Sequence, residues 1–131
     1  MTAIARTTMP PRKRAARNDA LLALVEKVLE DGKAEDVAVI DLEGKSSIAD
    51  YMVIATGRSQ RQVVALAERI TAAVKDAGFG RVSVEGLRFG DWVLIDAGDV
   101  VVHLFRPEVR DYYNLEKMWG ASFAEAASLA Q

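Results

Sequence analysis

Apolar residues recur every three or four positions along two stretches of the chain, the spacing that places them on one face of an α-helix. Asn18 can cap the first predicted helix, and Gly32 ends it. Its apolar face consists of Leu21, Leu22, Val25, Val28 and Leu29. The second predicted helix begins at Ser59 and ends before Gly78. Its apolar face consists of Val63, Leu66, Ala67, Ile70 and Val74.

Short runs rich in Val, Ile and Tyr predict β-strands over residues 37–42, 51–56 and 81–85. A polar loop, 43–47, separates the first two of these strands. The second helix lies between the last two, and this strand-helix-strand order implies a right-handed parallel crossover. A further short helix is expected after Pro107, so the chain is predicted to be an α/β domain.

Two more predicted strands, 92–97 and 100–105, form a β-hairpin around the two-residue turn Gly98-Asp99. That turn sets the pairs across the hairpin, which are Ala97 with Val100, Asp96 with Val101, Leu94 with His103, and Trp92 with Phe105. One face is aliphatic, as expected under helices, and consists of Val93, Ile95, Ala97, Val100, Val102 and Leu104. The other face consists of Trp92, Leu94, Asp96, Val101, His103 and Phe105.

This second face of the hairpin has two interpretations. An acid and an imidazole need partners in a dry core, whereas aromatic anchors beside a few fixed polar groups are typical of binding hot spots. In the alternative interpretation, the last helix covers the face and Trp92 packs on Tyr113 or Trp119. The alternation of residues does not decide between a binding surface and a covered one.

Composition narrows the classes of function. The 131 residues include no Cys and one His, His103, so disulfides, thiolate zinc sites and thiol nucleophiles are excluded and other metal or triad chemistry is not expected. Half the residues are apolar, enough for one domain core. The apolar runs are too short to span a bilayer, and the N-terminus lacks a secretory signal, so we expect a cytoplasmic protein.

Charge is unevenly distributed along the chain. Five of the 17 basic residues precede the first acid, Asp19, so 12 basic residues face 19 acidic ones in the rest. This excess of acidic residues after the N-terminal segment suits a basic protein partner better than the phosphate backbone of a nucleic acid. Residues 1–17 are predicted to be a disordered basic tail, either an arm that touches RNA or an extension ahead of a start at Met9. The Ala-rich segment 121–131 is expected to be a C-terminal tail or a weak helix.

Several sequence blocks, in this order, resemble the Iojap-like ribosomal silencing factors. The blocks are Asp50–Ser59, Glu85-Gly86, Trp92–Asp96, Val101–Phe105 and Tyr113–Trp119. The similarity runs from about residue 20 to residue 119, and we place the domain at residues 18–120. Because it rests on separate blocks along the chain, it is more specific than one short motif.

The resemblance implies a mixed five-stranded sheet flanked by helices, with a topology like that of nucleotidyltransferases but without their catalytic site. It also implies binding to the large ribosomal subunit through ribosomal protein number fourteen, which blocks joining of the small subunit and represses translation when nutrients are scarce. No enzyme activity, substrate, metal or cofactor is implied. The expected partner-binding residues are Trp92, Leu94 and Asp96, with His103 and Phe105 as neighbours.

Two other functions fit parts of the sequence. A nucleotidyltransferase-like enzyme could seat a phosphate at Thr56–Ser59, but Gly57 and Ser59 are more simply a tight turn and a helix cap. Asp96 and Asp99 belong to a strand and a hairpin tip and are poorly placed to share Mg²⁺. The third candidate is a protein-binding module or homodimer that uses the same sheet face.

Overall fold

The computed structural model describes residues 11–44 and 49–114, with side chains from residue 16 onward. Its helices are α1 (Pro11–Asp31), α2 (Gln60–Asp76) and α3 (Pro107–Tyr113). Its strands are β1 (Glu35–Asp41), β2 (Tyr51–Thr56), β3 (Ser83–Glu85), β4 (Trp92–Asp96) and β5 (Val100–Phe105). Predictions for residues 1–10, 45–48 and 115–131, among them Leu115, Glu116 and Trp119, lie outside the described residues.

The described strands form a five-stranded sheet in the order β1-β2-β5-β4-β3. β2 and β5 are parallel, whereas the pairs β1-β2, β5-β4 and β4-β3 are antiparallel. This is the mixed sheet flanked by helices that the resemblance implied. The strands on either side of α2, β2 and β3, therefore run in the same direction, but β5 and β4 lie between them.

The main core lies between the sheet and the helices α1 and α2. The predicted apolar stripe of α2 is confirmed, since every one of its five residues is at most 1% exposed. From α1, Leu21, Val25 and Leu29 join the same core. Each fully buried Leu, Ile or Val side chain contributes roughly 1.5–3 kcal/mol to folding before the cost of chain ordering, so this layer accounts for much of the stability.

The first helix begins at Pro11, seven residues before the predicted cap. Proline suits the first turn of a helix because its missing N–H would have no partner there. Asn18 is buried and donates a hydrogen bond to the carboxylate of Asp50, 2.5 Å away, so the predicted cap was wrong. The guanidinium of Arg17 donates to the carbonyl of Phe79 at 2.7 Å. Arg17 is therefore attached to the domain, and the tail prediction remains for residues 1–10.

Other element boundaries move by a few residues. β1 begins at Glu35, two residues early, and its pairing with β2 shifts between Glu35 and Ala38. Asp36 lies at this irregularity with φ of 49°, a left-handed conformation that Asp tolerates better than most residues. β3 is shorter than predicted and begins at Ser83.

Candidate functional site

The predicted hairpin register is confirmed. The observed pairs are Trp92 with Phe105, Val93 with Leu104, Leu94 with His103, Ile95 with Val102, and Asp96 with Val101. At the turn, Ala97 N–H donates to the carbonyl of Val100 at 3.0 Å. Gly98 has φ of 90°, as this turn requires, and its N–H donates to a carboxylate oxygen of Asp96 at 2.9 Å. The turn residues therefore determine which side chains share a face.

The two faces of the hairpin also sort as expected, with one correction. All six residues of the aliphatic face are buried under the helices. The second face is not free of helix, because Val109 of α3 packs on a small apolar cluster there. That cluster consists of Leu42, Met52, Ile54 and Phe105, with Ile40 and Trp92 at its edge. The alternative in which the last helix covers this face is thus correct for part of it.

The predicted contact residues differ in exposure. Trp92 and Leu94 are partly exposed and Asp96 is exposed, and these three alternate residues of β4, here called the β4 row, point to the same side. His103 is only 8% exposed and Phe105 is fully buried. The structure therefore places His103 and Phe105 behind the β4 row, where they support it and present little or no surface of their own. The contact role of the row itself remains a prediction.

Three rings surround the indole of Trp92. Its centroid lies 5.0 Å from that of Phe105 and 4.7 Å from that of Tyr113, both tilted. Tyr113 was one of the two predicted packing partners of Trp92, so that contact is confirmed. The indole Nε1–H donates a hydrogen bond to Nδ1 of His103, 3.0 Å away. Trp92 is therefore held by packing on two sides and by one hydrogen bond.

His103 is a neutral side chain in this environment. Burial among apolar groups disfavours its charged form and lowers the pKa of the imidazole to about 4. Its ring is nearly parallel to that of Phe105, with centroids 6.0 Å apart. The imidazole is therefore a packed hydrogen-bond acceptor.

The backbone before Trp92 is fixed by Asp91, which the sequence analysis missed. The Asp91 carboxylate accepts hydrogen bonds from Gln60 at 3.0 Å and from Arg106 at 2.8 Å. Both bonds lower the pKa of the Asp91 carboxyl, and the bond from Gln60 has the larger effect. Arg106 N–H also donates to the Asp91 carbonyl at 3.1 Å, so this one residue joins α2, β4 and the end of β5.

Gly86 supports the same segment from the other side. Its φ is 93°, and a Cβ built on it would lie 2.2 Å from the carbonyl oxygen of Trp92. No side chain fits at that distance, and few residues other than glycine adopt this conformation. The resemblance included Gly86, but the backbone approach to Trp92 was not foreseen.

Arg110 attaches α3 to the sheet. It is 8% exposed, and its guanidinium donates to the hydroxyl of Thr56 at the end of β2, 2.6 Å away. Tyr113, three residues further along α3, packs on Trp92. Charge-assisted bonds of this kind are stronger than neutral ones, so Arg110 helps to hold Tyr113 against Trp92.

A group of carboxylates lies where β2 begins and the hairpin turns. The backbone N–H groups of Asp50 and Tyr51 both donate to the Asp99 carbonyl, at 2.8 and 3.0 Å, which brings the hairpin tip to this end of the sheet. The Tyr51 hydroxyl donates to Asp19 at 2.9 Å. This bond, then burial and nearby negative charges raise the pKa of Tyr51 to about 12. We call Asp19, Asp41 and Glu43, whose negative charges act on Tyr51, the acidic end.

The turn after β2 is explained by helix capping. Ser59 Oγ accepts from Gln62 N–H at 3.1 Å, and the Gln62 side chain accepts from Arg58 N–H at 2.7 Å. A Cβ on Gly57 would lie 2.8 Å from a methyl group of Val63. The turn-and-cap interpretation is therefore confirmed, and two N–H groups that could bind a phosphate already have acceptors.

Two broader features bear on function. Nowhere in residues 11–44 and 49–114 do three or more His, Asp or Glu side chains group as metal ligands. Within the same ranges, no helix is both long and apolar enough to cross a membrane.

Comparison with known proteins identifies the family. A family-wide sequence profile described as "Ribosomal silencing factor during starvation" matches residues 15–130, which includes most of the segment expected to be a C-terminal tail. The ribosomal silencing factor of Zymomonas mobilis is 58% identical over 113 residues, 84% of each chain. A crystal structure of a Chromobacterium violaceum protein has a TM-score of 0.76 and 45% identity, covering 78% of this chain and 85% of that one.

A more distant relative is the mouse protein named "Mitochondrial assembly of ribosomal large subunit protein 1". It is 32% identical over 99 residues, which are 73% of this chain and 43% of the mouse protein. The profile and the Zymomonas protein alone cover most of this chain. The chain therefore belongs to the family of ribosomal silencing factors.

Proposed function

We propose that this protein binds the large ribosomal subunit through ribosomal protein number fourteen and sterically prevents the small subunit from joining, so that translation is repressed when nutrients are limiting. The family name and the name of the mouse relative both support a ribosomal partner. The proposal includes no catalytic step and no cofactor, and the protein would act in the cytoplasm on free large subunits.

The observation that carries the proposal is the β4 row. Trp92 and Leu94 expose part of their apolar surface beside the exposed carboxylate of Asp96. Side chains two residues apart on a strand lie roughly 7 Å from one another, so the row offers a ring, an aliphatic group and an acid along one line. Such a combination supplies apolar anchors together with one charge that orients the partner.

The rigid support of Trp92 favours tight binding. Phe105 and Tyr113 pack against the indole, and Asp91 holds the backbone that precedes it. A side chain that is already ordered loses little entropy when it binds a partner. Trp92 is therefore the residue whose truncation should weaken binding most, by about 2 kcal/mol or more.

Charge supports a basic partner. Asp96 places an exposed acid at the end of the β4 row, and the chain after residue 18 has 12 basic and 19 acidic residues. Opposite charges at the rim of an interface speed association and set orientation more than they raise affinity. A basic protein surface on the large subunit would be attracted by this excess of acid and would meet Asp96 of the row.

Steric exclusion then explains inhibition without chemistry. A domain of this size bound where the subunits meet occupies volume that the small subunit needs, so inhibition follows the fraction of large subunits occupied. Mixing purified large and small subunits in a light-scattering assay tests this directly. We expect preincubation of the large subunit with the protein to reduce joining in proportion to occupancy. Unchanged joining at saturating occupancy would refute the blocking mechanism.

The direct partner is tested separately. Purified ribosomal protein number fourteen should bind the protein in calorimetry, and Trp92→Ala should weaken that binding. If the protein binds large subunits but does not bind purified ribosomal protein number fourteen, the ribosomal role stands and the assigned partner is wrong.

A further inference from the structure

The hydrogen bond between Trp92 and His103 determines what the β4 row can offer a partner. The indole Nε1–H is the one polar group on the Trp92 side chain, and it donates to His103 Nδ1 at 3.0 Å. That donor is therefore used inside the domain. What remains exposed of Trp92 is carbon surface, which suits an aliphatic or cationic side chain better than a hydrogen-bond acceptor.

The same bond fixes the protonation of His103. Because an N–H can only donate, Nδ1 must be unprotonated, and the neutral ring carries its hydrogen on Nε2. The imidazole is 8% exposed and lies nearly parallel to Phe105, with an angle of 7° between the rings. Burial keeps the ring neutral at ordinary pH, so the acceptor is always available.

Packing alone leaves the indole freedom that this bond removes. Phe105 and Tyr113 are tilted by 35° and 46° against Trp92, and the indole N–H donates to His103 and not to either of them. A flip of the indole about its second side-chain torsion would keep much of the ring contact but leave Nε1–H away from His103. A buried or half-buried donor without an acceptor is costly, so the bond selects one orientation.

We propose that His103 is a positioning residue, which acts on the ribosomal partner through Trp92 and not by direct contact. This inference rests on the proposed function, because it assumes that Trp92 is an anchor of that interface. It assigns to His103 a role different from the contact role expected from the sequence. It also predicts that the partner places no acceptor on the indole nitrogen.

The first test needs no variant. The chain has one His and two Trp residues, so a nitrogen-15 NMR spectrum contains one imidazole and two indole groups. In the wild-type protein we expect the imidazole hydrogen on Nε2 and one indole N–H that exchanges slowly with solvent. An imidazole with its hydrogen on Nδ1 would overturn the inference at once.

The second test compares two substitutions in binding to large subunits. His103→Phe keeps a planar ring but removes the acceptor, whereas the side-chain oxygen of His103→Asn can take the place of Nδ1. We expect about tenfold weaker binding for His103→Phe and affinity within about threefold of wild type for His103→Asn. The slowly exchanging Trp92 N–H should be lost in the first variant and kept in the second.

The outcomes separate this inference from the proposed function. If the wild-type protein does not bind large subunits, the proposed function fails, although the spectra still report the Trp92–His103 bond. If the wild-type protein binds and His103→Phe binds equally well after losing the slow N–H, the positioning role is refuted. A separate spectrum of Trp119→Phe, recorded only for assignment, identifies which indole signal belongs to Trp92.

Discussion

Trp92 lies directly opposite Phe105 on neighbouring strands, and the centroids of their rings are 5.0 Å apart. Phe105 is fully buried, whereas Trp92 is partly exposed. The pair therefore joins the small core on this side of the sheet to its surface, and the two residues should respond differently to truncation.

Phe105→Ala is expected to lower the free energy of unfolding by about 3–5 kcal/mol, because it leaves a cavity among Met52, Ile54 and Val109. Trp92→Ala removes a ring that is already partly in solvent and should cost less. Chemical denaturation of both variants measures the difference. Equal losses of stability would mean that Trp92 is as much a core residue as Phe105.

Gly86→Ala should be more disruptive than Gly78→Ala. Both positions have positive φ, 93° and 79°, so both variants bear a backbone cost of about 1–2 kcal/mol. Only at Gly86 would the new methyl group also collide with the Trp92 carbonyl, since the space around Gly78 is open. Thermal unfolding should give the lower midpoint for Gly86→Ala. The reverse order would contradict the described approach of this turn to β4.

The protein should lose stability between pH 6.5 and about pH 4 through His103. The unfolded chain takes up a proton near the ordinary pKa of 6.5, while the folded chain resists protonation until its pKa of about 4. The free energy of unfolding therefore falls with pH across this window, by about 3 kcal/mol in all, and this contribution is constant above pH 6.5. Denaturation at several pH values, compared with His103→Asn, isolates the effect. Parallel pH profiles for the two proteins would contradict a buried neutral imidazole.

Thr56→Val should destabilise the attachment of α3. It removes the hydroxyl that accepts from the buried guanidinium of Arg110, and a bond to a charged group contributes about 1.5–3 kcal/mol. Thr56→Ser keeps the hydroxyl and serves as the control, with a smaller expected loss. A double-mutant cycle with Arg110→Met checks the contact. If Thr56→Val lowers the free energy of unfolding by the same amount in the Arg110→Met background as in wild type, the two residues are not coupled.

The hairpin face was predictable because a two-residue turn leaves little choice of register. Once Gly98 and Asp99 occupied the turn, alternation alone paired Trp92 with Phe105 and separated the aliphatic face from the mixed one. The apolar stripe of α2 was equally predictable, since its period is a local property of the sequence. Register and period need no knowledge of distant contacts.

The interpretation failed where partners lie far apart in sequence. Arg17 looked like part of a loose basic tail because its acceptor, the carbonyl of Phe79, is 62 residues away. Asn18 had the chemistry of a helix cap, but Asp50 lies 32 residues away and binds its side chain instead. Likewise, α3 covers part of the second hairpin face because Arg110 bonds to Thr56, and no local sequence pattern reveals this bond.

Co-sedimentation with separated ribosomal subunits tests most directly whether the β4 row meets the large subunit. Two substitutions alter the row, Trp92→Ala and Asp96→Arg. Two matched controls alter exposed residues elsewhere, Phe89→Ala for the ring and Glu68→Arg for the charge.

We expect wild type and both controls to pellet with the large subunit and not with the small one. Trp92→Ala should bind about thirtyfold more weakly, equivalent to about 2 kcal/mol, and Asp96→Arg should also weaken binding, while both keep native circular dichroism. The proposed contact is wrong if the two folded row variants pellet with the large subunit as well as wild type does. It is also wrong if the two controls lose as much binding as the row variants.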